Sequence, residues 1–205
     1  MGFWAKHVLP GLIEQAARSP TIHGERQRWV PRAHGRVLEL GVGSGLNLAF
    51  YDPARVVRVT GIDPSAPLLA RAVPRVAAAA VPVELVEGTA ERMPFDPGSF
   101  DSALVTYSLC SMDDPVRALA EVRRVLRPGG ELVFVEHGLA PDAGTRWWQR
   151  RLTPLWRRAT GGCRLDRDLP GVLRDAGFAV EDLSAGYHGV VRWLSYTYEG
   201  IARPG

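Results

Sequence analysis

The chain of 205 residues is 46% hydrophobic and 23% charged, which fits one globular α/β domain with a substantial core and leaves little room for a second module. Its formal net charge of +3 comes almost wholly from arginines spread along the sequence, a pattern that excludes a dedicated nucleic-acid binder. Two cysteines without Cys-x-x-Cys spacing, no signal-peptide core and no membrane-length apolar run argue against a disulfide framework, a structural zinc site, secretion and membrane insertion. We therefore expect a single cytoplasmic domain over residues 1–205.

Residues 1–32 are predicted to form a helical cap over a sheet. Apolar residues recur at roughly helical spacing over 3–17, Ser19 and Pro20 stop this pattern, and a second helical segment follows over 22–30. The early histidines have no metal-ligand spacing, so we expect no metal and assign surface or packing roles to His7, His23 and His34.

A glycine-rich turn follows the first predicted strand, Val37–Leu40. Its glycines stand at alternate positions, Gly41, Gly43 and Gly45, and a helix-compatible segment, Leu46–Phe50, comes next. Glycine suits such a turn because it adopts positive φ and lets a ligand approach the backbone closely. The pattern predicts a strand, a tight turn and a helix start that together bind a small molecule.

Two carboxylates indicate the class of this ligand. The second predicted strand, 56–62, ends at Asp63, about 20 residues after Gly41, the offset at which an acidic side chain binds a ribose diol. Glu39 precedes the glycines, where it would repel a pyrophosphate but could hold the cationic amino group of a methionine moiety. The combination resembles motif I of the class I S-adenosylmethionine (SAM) methyltransferases, with Asp63 matching the acidic residue that closes their second strand.

The third predicted strand, 83–86, is followed by the loop that covers the adenine in SAM enzymes, with groups near Thr89 and Ala90. Many relatives carry an acidic residue at the position of Thr89, so a neighbour or the backbone must replace it here. The buried runs 103–105 and 131–135 predict the fourth and fifth strands. Their carboxyl ends reach the ligand edge of an open α/β sheet, and they deliver Thr106, Tyr107, Glu136 and His137 there.

The end of the chain predicts how the sheet closes. Two β runs, 178–183 and 193–201, follow each other without a helix between them, which favours an antiparallel pair. We therefore expect a Rossmann-like α/β fold of the class I methyltransferase type. It has a mostly parallel seven-stranded sheet, helices on both faces and an antiparallel last strand.

Several segments extend the resemblance to the methyltransferase-like proteins that include the mammalian membrane-associated thiol S-methyltransferases. They are Phe50-Tyr51-Asp52-Pro53, Gly61-Ile62-Asp63-Pro64, Leu109-Cys110-Ser111, the run 124–130, Val135-Glu136-His137, Trp148, Trp156 and the run 162–167. The quinone and phospholipid methyltransferases share the strand-end motifs. No long hydrophobic N-terminal segment like that of the mammalian proteins is seen here, so we expect no such membrane anchor.

Residues 145–167 are predicted to form a lid insertion. One face of its helical part, 145–160, carries Trp148, Leu152, Leu155 and Ala159. Arginines flank this face at 146, 150, 151, 157 and 158, and Pro154 is expected to kink or split the helix. We expect the apolar face to pack on the protein or line the acceptor pocket. The alternative is peripheral contact with a membrane surface.

The resemblance implies SAM as cofactor, S-adenosylhomocysteine as product and a small, apolar acceptor whose favoured reacting atom is a thiol sulfur. It assigns cofactor binding to Glu39, Gly41, Gly43, Gly45, Asn47, Asp63, Pro64, Thr89, Ala90 and Thr106. His137 is the first candidate to take the acceptor proton or stabilise the thiolate, and Tyr107 and Glu136 are candidates to orient the ligands. Carbon or nitrogen transfer to a quinone precursor or phospholipid amine is the alternative activity. A SAM-binding or NAD-type module without methyl transfer is the competing class, and the oligomeric state is left open.

Overall fold

The computed structural model describes residues 11, 14–15 and 17–205. Most of the first predicted cap helix, with His7, therefore lies outside the described residues. Seven strands form one sheet: β1 Gly35–Leu40, β2 Val56–Asp63, β3 Val83–Glu87, β4 Phe100–Thr106, β5 Leu126–His137, β6 Phe178–Tyr187 and β7 Tyr196–Pro204. From Pro20 onward, five α-helices accompany them: α1 Pro20–Trp29, α2 Ala66–Ala77, α3 Pro115–Val125, α4 Ala143–Ala159 and α5 Leu169–Asp175.

The strand order is β3-β2-β1-β4-β5-β7-β6. Strands β1 to β5 pair in parallel, whereas β7 runs antiparallel between β5 and β6. The predicted mostly parallel seven-stranded sheet with an antiparallel closing pair is therefore confirmed. The last strand begins later than the predicted Trp193, because Arg192–Leu194 forms a 3-10 turn before it.

Helices cover both faces of the sheet, as predicted. Successive strand side chains point to opposite faces, so Val37 and Leu38 enter two different apolar clusters. Helix α3 adds Leu119 and Val122 to the cluster of Leu38, and α1 adds Trp29 to the cluster of Val37. All five of these side chains are 0–3% exposed, so each face of the sheet has its own dry core.

Side-chain caps define where the helices begin. Helix α1 starts at Pro20 with Ser19 as its cap, so the pair predicted as a stop after the first helix is also the start of the next one. Asp114, Asp142 and Asp168 accept backbone N–H groups at the starts of α3, α4 and α5 at 2.8–3.2 Å. These contacts satisfy amide groups that would otherwise lack partners in the first helical turn.

The helix start predicted for Leu46–Phe50 is wrong. The structure has only a 3-10 turn, Leu48–Phe50, after the glycine turn. Pro53 follows closely and disfavours the helical conformation of the residue before it. The chain instead turns so that Tyr51, 4% exposed, packs beneath the glycine turn.

Helix α4 contradicts two predictions about the lid. It runs unbroken through Pro154, and its buried residues are Thr145, Gln149 and Thr153 rather than the apolar ones. Gln149 decides this orientation, because its amide donates to the Gly138 carbonyl at 3.0 Å and accepts from the Ala140 amide at 2.9 Å. Pro154 faces solvent, where water can satisfy the carbonyl that loses its helical partner.

Trp148 and Leu155, predicted to pack inward, are 51% and 66% exposed. Across the described part of the chain, no helix is both long and apolar enough to span a bilayer.

Candidate active site

The predicted ligand edge lies where the strand order reverses, between β1 and β4. Gly41 and Gly43 form the turn after β1 with φ of 63° and 54°. A Cβ on Gly41 would lie 2.2 Å from the Ser108 hydroxyl, so glycine lets the turn touch the loop after β4. A Cβ on Gly43 would meet nothing closer than 3.8 Å. The turn therefore keeps open space at Gly43, where a ligand can approach the backbone.

Asp63 is fixed at the end of β2 by two backbone donors. The Gly43 amide donates to its Oδ2 at 3.0 Å and the Ser65 amide to its Oδ1 at 2.8 Å. Burial raises the pKa of this carboxyl, and the two backbone hydrogen bonds oppose that shift. A carboxylate oxygen accepts more than one hydrogen bond, so Asp63 keeps lone pairs for a ligand diol.

Glu39 is buried beside the same turn. Its carboxylate accepts the Tyr51 hydroxyl at 2.7 Å and the Asn47 amide at 2.9 Å. The Asn47 amide also donates to the Thr106 hydroxyl at 3.0 Å, which joins β1, the turn and β4 in one network. Burial raises the pKa of Glu39 to about 7, against the effect of these hydrogen bonds. A cation placed beside Glu39 would favour its ionised form, so the site fits a positively charged ligand.

Helix α1 adds a residue that sequence reasoning missed. Arg26, 7% exposed, donates through Nε to the Asn47 side-chain oxygen at 2.8 Å. A guanidinium and the Glu39 carboxylate thus share Asn47 as a neighbour, and their opposite charges suit a zwitterion such as an amino acid group. The only sequence signal was the predicted cap over residues 1–32, which did not single out this arginine.

Tyr107 has an unusual backbone at the end of β4. Its φ of 53° is the one positive value at a non-glycine residue in the described part of the chain. Its hydroxyl donates to Glu25 of α1, and its ring lies 4.6 Å from that of His137 between centroids. Burial raises the pKa of Tyr107 far above its ordinary value. Tyr107 therefore stays neutral and acts by shape and hydrogen bonding.

His137 is neutral at physiological pH, because burial lowers its pKa to about 4. A hydrogen bond to the Tyr196 backbone oxygen opposes this shift. Its Nδ1 atom is buried, and no described residue hydrogen-bonds to it. A neutral imidazole carries its proton on either ring nitrogen, so Nδ1 can accept a hydrogen bond from an acceptor molecule or donate one to it.

Glu136 faces the loop after β4. Its carboxylate accepts the backbone amides of Ser108, Leu109 and Cys110 at 2.5–3.3 Å. Burial raises the pKa of Glu136 to about 7 although these hydrogen bonds oppose the shift. Glu136 is fully buried and held by three backbone donors, so it positions the loop beside Gly41; its role in orienting the acceptor or cofactor stays a prediction.

The predicted adenine side is more open. Thr89 and Pro64 are exposed, whereas the Ala90 side chain is buried in the core, so only the Ala90 backbone can face a ligand. Glu87 ends β3 directly opposite Asp63 in the strand register and is exposed. It is a nearby carboxylate that can accept a hydrogen bond from an exocyclic amine with the negative charge that Thr89 lacks.

A group of possible metal ligands, Glu25, His188 and Glu199, also lies near this edge. Tyr107 and His188 engage the two oxygens of Glu25, while Arg28 and Trp29 engage those of Glu199. These hydrogen bonds tie α1 to the 188–195 loop and to β7.

Comparison with known proteins places these features in context. Residues 38–134 match the family described as methyltransferase domain. The thiol S-methyltransferase TMT1B of Homo sapiens is 37% identical over 155 residues, which cover 72% of this chain and 62% of that protein. The phosphatidylethanolamine N-methyltransferase of Cereibacter sphaeroides is 42% identical over 112 residues, 54% of each chain. The match spans less than two thirds of the length of either relative.

Solved structures share the architecture. The [4+2]-cyclase SpnF has a TM-score of 0.67 at 22% identity, over 95% of this chain and 80% of that one. A SAM-dependent methyltransferase of Thermotoga maritima has a TM-score of 0.63 at 23% identity, over 95% of this chain and 98% of that one. At such identities the likeness concerns the fold alone.

Proposed function

We propose that the protein transfers a methyl group from SAM to the thiol sulfur of a small, apolar acceptor. Residues 38–134 match the methyltransferase-domain family, and the chain has the sheet order of the class I SAM-dependent fold. One observation supports the SAM half above all. The buried carboxylates of Glu39 and Asp63 flank a glycine turn that keeps open space at Gly43. Two hydrogen-bond-accepting carboxylates beside an open turn match a cationic nucleoside.

Each end of SAM has a chemically matched partner. Asp63 would hold the ribose diol, Glu39 the ammonium group, and Arg26 with Asn47 the carboxylate. The backbone near Ala90 and the Glu87 carboxylate would hold the adenine. Bound SAM supplies a methyl group already activated by its sulfonium, so the protein's contribution is mainly to position the acceptor.

The part of the proposal that concerns the acceptor is supported by His137, Tyr107 and Tyr196. The unpartnered Nδ1 atom of His137 can accept the S–H hydrogen of a bound thiol or, when it carries the ring proton, donate to the thiolate, while the Tyr107 ring supplies an apolar wall. A base with a pKa near 4 removes a thiol proton poorly, and the thiolate is the reactive form. Turnover should therefore follow the ionisation of the acceptor thiol itself, with His137 setting its geometry.

The relatives favour sulfur over the alternatives without excluding them. The thiol S-methyltransferase covers more of this chain than the phosphatidylethanolamine N-methyltransferase, 72% against 54%. The N-methyltransferase keeps a phospholipid amine as the second candidate acceptor, and a quinone precursor remains the third.

The test is calorimetric titration with SAM and S-adenosylhomocysteine, followed by product assays on a matched acceptor set. A thiol, an alcohol and an amine on the same apolar skeleton isolate the reacting atom, and a quinone precursor and phosphatidylethanolamine vesicles complete the set. SAM binding with turnover of the thiol alone supports the proposal. Turnover of an amine or quinone alone transfers the assignment to that acceptor. SAM binding without turnover of any member makes the chain a binding module, and a folded protein that ignores SAM overturns the proposal.

A further inference from the structure

Helix α4 buries polar residues and exposes large apolar ones, the reverse of an ordinary surface helix. Its polar residues Thr145, Gln149 and Thr153 are buried, while Trp147, Trp148 and Leu155 are 49%, 51% and 66% exposed. A monomer gains nothing from placing two tryptophans and a leucine of one helix in water. The exposed side of α4 is therefore built for contact with something else.

The neighbouring loop extends this exposed side. Val190 is fully exposed and Val191 is 44% exposed. The loop is held against α4 by Trp193, whose ring meets that of Trp156 edge-on at 5.7 Å between centroids. We call the exposed side chains Trp147, Trp148, Leu155, Val190 and Val191 the interfacial face.

Arginines share the exposed side of α4 with these apolar side chains. Helix α4 contains five, Arg146, Arg150, Arg151, Arg157 and Arg158, and no acidic residue between Ala143 and Ala159. Arg192 of the loop adds a sixth, and it alone of the six has a carboxylate within ion-pair distance among the described residues, Asp142 at 3.7 Å. The Arg151 guanidinium lies 4.5 Å from the centre of the Trp147 ring. Apolar and cationic side chains are thus interleaved on the exposed side of α4.

We propose that the interfacial face docks the protein on a bilayer surface with anionic headgroups. Tryptophan and leucine suit the boundary between headgroups and acyl chains, and the arginines match the negative surface potential. A second copy of the chain is a poorer occupant, because a two-fold contact through this face would set its arginines against their equivalents. Charge complementarity therefore selects an anionic lipid surface.

The position of the face links it to the acceptor. Gln149 of α4 hydrogen-bonds to Gly138, the residue after His137. The Tyr187 hydroxyl before the loop donates to Asp142, the cap of α4, and lies 3.2 Å from the Thr145 hydroxyl. Docking would hold the His137 end of β5 near the membrane. This last step rests on the proposed function, because it would let an apolar acceptor enter from the lipid, whereas docking itself does not depend on activity.

The test is sedimentation of the full chain with vesicles, without SAM or acceptor. Vesicles of equal phosphatidylcholine and phosphatidylglycerol should bind the protein, and pure phosphatidylcholine should bind it at least tenfold more weakly. Each arginine near an anionic surface contributes about a fivefold factor, so R150Q/R157Q should lower the partition coefficient about 20-fold or more. The matched control R58Q/R174Q removes the same charge from exposed sites elsewhere and should change it less than twofold.

A second variant with its own control tests the apolar side chains of the interfacial face. W148A/L155A should weaken binding to the mixed vesicles at least tenfold, and V57A/V73A, which truncates two similarly exposed residues away from α4, should not. Failure of the wild type to bind anionic vesicles overturns the proposal. So does an equal loss of vesicle binding in R150Q/R157Q and its control R58Q/R174Q, or in W148A/L155A and its control V57A/V73A. Equal binding to polyglutamate and to vesicles, insensitive to W148A/L155A, would also overturn it and indicate an acidic protein partner. Vesicle binding without methyl transfer would overturn only the proposed function.

Discussion

Glu39→Gln should remove a pH dependence of SAM binding that the wild type possesses. The Glu39 carboxyl has a pKa of about 7 in the free protein, and the bound ammonium requires its ionised form. Glutamine has the same shape, and the Tyr51 hydroxyl can reverse its hydrogen bond to accept from the new amide. The substitution therefore changes the charge and leaves the local packing in place.

The magnitude follows from the ionised fraction of the carboxyl. With a pKa of about 7, roughly half of the Glu39 side chains are ionised at pH 7 and about 3% at pH 5.5. If SAM binds only the ionised form, its affinity falls about 16-fold over this range, or about 1.6 kcal/mol. The α-ammonium group of SAM, with a pKa of about 8, stays protonated throughout.

The assay is calorimetric titration with SAM at pH 7.0, 6.5, 6.0 and 5.5 at constant ionic strength. The wild type should lose affinity steadily as the pH falls. Glu39→Gln should bind about tenfold or more weakly at pH 7, since it loses a charged hydrogen bond, and should show a flat profile. A flat wild-type profile, or the same slope in the variant, would refute the placement of the ammonium beside Glu39. Thermal unfolding of both proteins checks that the variant is folded.

Three further substitutions test other parts of the site. Asp63→Ala should weaken SAM binding about tenfold or more, because a charged hydrogen bond contributes about 1.5 to 3 kcal/mol, and an unchanged calorimetric affinity would remove the ribose assignment. His137→Ala should lower kcat much more than SAM affinity, while the increase of kcat with pH, which the acceptor thiol sets, should remain. A wild-type kcat at every pH would exclude His137 from the mechanism. Gln149→Leu leaves the Gly138 and Ala140 backbone groups unpaired, so it should lower the free energy of unfolding, measured in urea, by about 2 to 3 kcal/mol. The control Arg150→Gln changes an exposed residue and should lower it by less than about 0.5 kcal/mol. Equal losses in the two variants would contradict the anchoring role of Gln149.

The sequence by itself determined the elements whose signals are local. Buried β runs predict strands because their apolar residues are contiguous, and the glycines of the turn predict positive φ because only they adopt it freely. The position of Asp63 at the end of β2 beside the glycine turn was predictable, because its distance along the chain from Gly41 is fixed by one strand-turn-strand unit. These short-range features also predicted the sheet's antiparallel closing pair.

The tertiary structure decided what depends on residues far apart in the chain. Arg26 reaches Asn47 from the cap helix, and Trp29 donates to Glu199 near the other end of the sequence, contacts that no periodicity indicates. The burial of Glu39, and hence its raised pKa, likewise exists only once the loops and strands have closed around it.

Helix α4 shows most directly why the sequence alone could not predict which side of a helix is buried. Its apolar stripe predicted an inward face, because burying apolar surface is normally the larger gain. Two backbone groups after β5 needed hydrogen-bond partners in the protein interior, and Gln149 was positioned to satisfy both. That long-range requirement turned the polar side inward and left the tryptophans facing out.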